Sequence, residues 1–131
     1  MTTRDPEIVH ALKEGLTLFN QGEFFEAHEI WEEAWRESQM DERHLLQGLI
    51  QVAAGFYKLQ TGMPTGTVKL LEKSLVHLEI LPPNFYGLAL EDLIVSTKTW
   101  TQQARDMVKM WRTDFDAAKL PQLDYEPTET H

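Results

Sequence analysis

The stretch Glu26-Ala27-His28-Glu29-Ile30-Trp31-Glu32-Glu33-Ala34-Trp35-Arg36 gathers an imidazole, four carboxylates, two indoles and a guanidinium into about three helical turns. At about 100° per residue, Phe24, Ala27, His28, Trp31 and Trp35 share one apolar face. Glu29, Glu32 and Arg36 run along one flank, and Glu26 and Glu33 point away. Side chains at i and i+4 are neighbours on a helix, so His28 stands beside Glu32 and Glu32 beside Arg36, at the border of core and solvent. An imidazole with two carboxylates, His28, Glu29 and Glu32, is a donor set suited to Zn, Mn or Fe.

The full catalytic signatures are absent. The metalloprotease pattern His-Glu-x-x-His has Glu32 where its second histidine belongs. No Glu-x-x-His occurs, so the di-iron carboxylate arrangement lacks its defining pair. The chain also has no cysteine, no glycine-rich phosphate loop and no nucleophile elbow. A buried His28 bonded to Glu32 or to a polar group on the next helix, with Glu32–Arg36 as a flank ion pair, is the plainer reading. Buried polar groups need partners whether or not they do chemistry.

A second set of polar residues interrupts an apolar stretch. From His44 to about Gln60 most of the helix circumference is apolar, which predicts a central, buried helix. Its exceptions, His44, Gln47, Gly48, Gln51, Gly55 and Lys58, fall in one arc less than about 120° wide. Gln47 and Gln51 require hydrogen-bond partners there, and Gly48 and Gly55 allow a close approach by a backbone or a ligand. If the acidic flank faces this stripe, Glu29, Glu32, Arg36, His44, Gln47 and Gln51 line one polar cleft walled by Trp31 and Trp35.

The elements that must position these groups read clearly. Asp5-Pro6 caps a first helix through Ile8, Val9, Leu12, Leu16 and Phe19, and Gly22 ends it. The second helix runs from about Glu23 to Ser38, and Asp41 is expected to cap the third. Gly62-Met63-Pro64 opens a fourth helix, which Leu81-Pro82-Pro83 stops. A long fifth helix carries Leu90, Leu93, Ile94, Trp100, Ala104, Met107, Val108 and Trp111 on one face and should fold back across the first four. Residues 113–131, with Pro121 and Pro127, read as an extended tail pinned by Phe115, Leu120, Leu123 and Tyr125, leaving 1–112 as the helical domain.

A weak repeat at an offset of forty residues aligns Phe19, Gly22, Trp31, Glu32 and Trp35 with Leu59, Gly62, Leu71, Glu72 and Leu75. The expected fold is therefore all-α: two stacked helical hairpins, tetratricopeptide-like, plus the fifth helix.

The pattern Phe19-Asn20-x-Gly22-x-Phe24-Phe25-Glu26-Ala27-His28-Glu29-x-Trp31-Glu32-x-x-Trp35-Arg36, followed by Leu46-x-Gly48-Leu49-Ile50-Gln51-x-Ala53, Gly62 and Gly66, resembles the family of domain of unknown function number 309. The resemblance spans roughly Pro6 to Leu93. It implies a small all-helical fold of two hairpins and a further helix, and no particular reaction. It also implies that Glu26, His28, Glu29, Trp31, Glu32, Trp35, Arg36, Gly48 and Gln51 are pattern positions of that family.

Composition narrows the partners. A length of 131 residues and 42% hydrophobic content suffice for one core without metals or disulfides. A formal charge of -9 without a Lys/Arg cluster argues against nucleic acid. No apolar run is long enough to span a membrane, the start Met-Thr-Thr-Arg-Asp-Pro shows no export signal, and the absence of cysteine fits a reducing cytoplasm. The reading that follows is a non-catalytic binding or adaptor module whose cleft takes a small polar ligand, a divalent metal ion or a protein segment. The alternative is a metal-dependent hydrolase with an ion on His28 and Glu29 or Glu32, and Glu26 or Arg36 as base or transition-state stabiliser. A homodimer through helix five is expected from the apolar face of Trp100 and Trp111.

Overall fold

The computed structural model describes residues 5–125. Residues 1–4 and 126–131, including Pro127 and the ends of the expected domain and tail, lie outside the described residues. Five α-helices follow one another: α1 (Pro6–Asn20), α2 (Phe24–Arg36), α3 (Met40–Gln60), α4 (Pro64–Leu78) and α5 (Leu90–Lys109). Among the described residues there is no strand, only an isolated antiparallel bridge between Leu88 and Tyr125.

Local chemistry accounts for most boundaries. Asp5 accepts a hydrogen bond from the Glu7 N–H at 2.9 Å, and Pro6 occupies the first turn, where no N–H is needed. Gly22 and Gly62, the two glycines aligned by the repeat, take φ of 80° and 79°. Each closes its helix in the same way: Glu23 N–H donates to the Leu18 carbonyl at 2.8 Å, and Met63 N–H donates to the Lys58 carbonyl at 2.9 Å. The start of α3 differs from expectation. Gln39 is the capping position, Met40 is the first helical residue with φ of 57°, and Asp41 lies within the first turn, where its charge favours the helix dipole without capping it.

Each helix packs chiefly on its chain neighbours, α1 on α2, α2 on α3, α3 on α4 and α4 on α5. The fifth helix therefore lies along α4 and does not cross all four predecessors. It also touches α3, where the Trp100 ring stands edge-on to Phe56 with centroids 6.0 Å apart. Phe56 also meets Phe19 of α1 and Phe24 of α2, at 6.2 and 5.5 Å. Both outer helices thus close on the same side of α3, giving a globule rather than an extending array.

Trp100 is buried in this way, so it does not contribute to a free dimer face. Trp111 lies beyond the end of α5 with φ of 55° and is 94% exposed, so it is not on the helical face it was expected to share. The chain then returns: Phe115 packs edge-on to Trp100, and Leu123 is buried. Asn20 pins that return with its side-chain amide, donating to the Leu123 carbonyl at 3.0 Å and accepting from the Leu123 N–H at 2.8 Å.

Candidate functional site

The register of α2 on α3 follows from two side-chain pairs. Phe25 lies against Tyr57 with centroids 5.3 Å apart, and the Arg43 guanidinium sits 3.9 Å over the Trp35 ring. The helices are antiparallel, so residues 28–32 lie level with residues 47–54. On the other side of α3, His44 meets His77, while Gly48 and Gly55 lie directly beneath Leu78 and Leu71 of α4. A Cβ at Gly48 would fall 2.5 Å from a Leu78 methyl, and one at Gly55 would fall 2.9 Å from a Leu71 methyl. Thr67 on α4 donates to the Gly55 carbonyl at 2.9 Å.

The small-residue stripe therefore faces α4, and α2 does not cover it. The condition for the expected cleft, that the acidic flank of the second helix faces the whole stripe, is thus not met at Gly48 and Gly55. Between the α2-facing line (Arg43, Tyr57) and the α4-facing line (Gly48, Gly55) at 100° per residue stand Ala54, Gln47, Lys58, Gln51 and His44, all half-buried. They lie on the strip of α3 between the sides that α2 and α4 cover.

The α2 flank grades from inside to outside. His28, Glu32 and Arg36 side chains are 24%, 42% and 65% exposed. Glu32 stands 3.8 Å from His28 Nε2 through one oxygen and 3.8 Å from the Arg36 guanidinium through the other. Both pairs are loose i,i+4 neighbours, the kind worth a few tenths of a kcal/mol. The Phe25 ring lies against the imidazole at 5.8 Å. Glu29 is exposed, further out on the same flank.

The two tryptophans have different roles. Trp31 is fully buried, tilted against Phe19, and its Nε1–H donates to the Ala11 carbonyl of α1 at 3.1 Å. It belongs to the α1–α2 core and is not available as a cleft wall, which corrects its assignment there. Trp35 is half-buried at the α2–α3 seam beneath Arg43, and its Nε1 is buried with no partner.

Three buried side-chain atoms along this seam find no hydrogen-bond partner in the protein: His28 Nδ1, Trp35 Nε1 and Gln51 Oε1. Elsewhere the buried hydroxyls of Thr67, Ser74 and Thr101 are bonded, while Thr97 Oγ1 of α5 is also buried without a partner. Each orphaned atom costs about 1–3 kcal/mol of lost hydration.

The proposed metal set does not converge: among the described residues no three His, Asp or Glu side chains gather closely enough to hold an ion. His28 and Glu32 come together, and Glu29 does not join them. The geometry gives the metal-dependent hydrolase reading two ligands where catalytic zinc sites use three.

His77, which the sequence did not single out, meets His44 across the α3–α4 seam. Its Nδ1 lies 3.0 Å from that of His44, with the rings tilted at 33°. Burial, and secondarily His44, hold the His77 imidazole below its ordinary value. Only the antiparallel pairing of α3 and α4 could have revealed it, since the two histidines share no local motif.

These features define a small all-helical protein of five helices. The family model described as "Domain of unknown function (DUF309)" matches residues 12–70, and the chain resembles that family through the segment carrying α2 and α3. An "Uncharacterized protein" of Aquifex aeolicus (strain VF5) is 31% identical over 83 residues, covering 63% of this chain and 25% of that protein. The chain thus spans about a quarter of the length of this relative. Among the described residues no helix is long and apolar enough to cross a membrane.

Proposed function

We propose that the chain is a non-catalytic binding or adaptor module whose groove between α2 and α3, bordered by α4, takes a protein segment or a small polar ligand through hydrogen bonds. The observation that carries this reading is that His28 Nδ1, Trp35 Nε1 and Gln51 Oε1, borne on two helices that pack together, are all buried and all without partners. An indole N–H donates, an amide oxygen accepts, and an imidazole nitrogen does either. That combination matches the alternating donors and acceptors of a peptide backbone or an amide-bearing ligand. Gln47 extends the amide floor, and Glu32, Arg36 and His44 supply polar groups at the rim.

The test is an NMR titration of nitrogen-15-labelled protein with a set of synthetic peptides and small amides. The expected result is movement of the Trp35 indole and Gln51 side-chain amide signals, lost in a Gln51→Leu variant that remains folded. Ligands that move other surfaces and leave these two signals in place would overturn the assignment.

A further inference from the structure

A different surface of α2 carries a second inference. On the side of the helix turned from α3, α1 and α2 enclose an open cleft of about 450 Å³, within the range of ligand pockets, about 300–1,000 Å³. Its floor is apolar: Ala11 is buried, while Ile30 and Ala34 are half-exposed and packed on the core. Its rim is acidic, with Glu7 and Glu14 from α1 and Glu33 and Glu37 from the end of α2.

These carboxylates are not neutralised by their surroundings. Glu7, Glu33 and Glu37 form no ion pair with any described residue, and Glu14 has only the exposed His10, at 3.8 Å. Glu33 and Glu37 are also placed against the local field. They are like charges at i,i+4, and they stand at the C-terminal end of α2, where the helix dipole favours cations. An apolar floor ringed by uncompensated negative charge is complementary to an apolar side chain flanked by cations.

We propose that this cleft docks a basic, amphipathic segment of a partner protein. Its apolar side chains enter between Ile30 and Ala34, and its Lys or Arg groups meet the rim. A second copy of this chain is a poor occupant, because a formal charge of -9 repels its like. A simple cation would leave the floor uncovered. Together with the α3 groove, the cleft would place two binding surfaces on opposite sides of α2, an arrangement suited to an adaptor, although neither surface depends on the other.

The test uses a short fluorescent helix-forming peptide of leucine and lysine, with binding followed by anisotropy at low and physiological salt. The Glu33→Lys/Glu37→Lys variant should bind at least about tenfold more weakly. The Glu91→Lys/Asp106→Lys variant, with the same change in net charge on α5, should bind as the unmodified protein does. Replacing the peptide's leucines by serines should cost a similar factor. Absence of binding by the unmodified protein, equal loss in both variants, or indifference to the leucines would each overturn the proposal. The last two outcomes would identify non-specific attraction to an acidic protein. Retained peptide binding in Gln51→Leu would show that this cleft is separate from the groove.

Discussion

The Nδ1 atoms of His44 and His77 stand 3.0 Å apart across the α3–α4 seam. At that distance one Nδ1 proton serves both rings, one donating and the other accepting, and a second Nδ1 proton would set two N–H donors against each other. His77 is held below its ordinary value of 6.5, first by burial and then by His44. The unfolded chain therefore binds a proton near 6.5 that the folded chain resists, so stability is full above that pH and falls as the pH drops through and below it. Thermal melts from pH 8 to pH 5 should show this acid loss in the unmodified protein and a shallower one in His77→Asn. Parallel profiles for the two proteins would separate the pair from the acid response.

Tyr86 gives the opposite slope. Its buried hydroxyl donates to Glu42 at 2.9 Å and accepts from the Asp5 N–H at 3.3 Å, and its pKa is pushed up to about 12, chiefly by burial. The folded protein keeps a proton that the unfolded chain loses near 10, so this contribution is present below pH 10 and declines from there towards 12. Tyr86→Phe should destabilise at neutral pH by about 1–3 kcal/mol, as expected for a lost hydrogen bond to a charged group, and should flatten the alkaline decline. Denaturant melts at pH 7 and pH 11 provide the check.

Gly15 holds space for Trp31. A Cβ at residue 15 would fall 2.1 Å from the Trp31 Nε1, inside the indole and on the atom that bonds Ala11. Gly15→Ala should therefore lower stability by about 1–3 kcal/mol, the usual range for overpacking, although alanine is the better helix former by about 1 kcal/mol. An unchanged or raised denaturation midpoint would contradict this packing.

Gln51→Leu separates function from stability. The substitution removes a buried acceptor that has no partner and leaves an apolar side chain of similar volume. Its stability should be unchanged or higher by about 1 kcal/mol. Binding in the groove should nevertheless fall. A substantial loss of stability would mean that the amide is a structural group.

The local code of this chain was legible from its residues. The Asp5 cap, the Pro64 start, the paired turns at Gly22 and Gly62 and the apolar circumference of α3 each depend on side chains within a few positions of one another. Burial of Phe24, Ala27 and Trp31 followed from helical periodicity for the same reason. The gradient from His28 through Glu32 to Arg36 was likewise implied by i,i+4 spacing.

What covers each face was decided only by the tertiary structure. Periodicity marks a stripe as small or polar but does not say which neighbour lies on it. That is why Gly48 and Gly55 proved to seat Leu78 and Leu71 of α4, while Gln47 and Gln51 were left between two helices. Trp31 and Trp35 look equivalent in the sequence, yet α1 satisfies one indole and leaves the other at a seam. His44 and His77, separated by 33 positions, meet because two helices run antiparallel in one register. Such contacts depend on the relative placement of whole helices, and no local pattern encodes that placement.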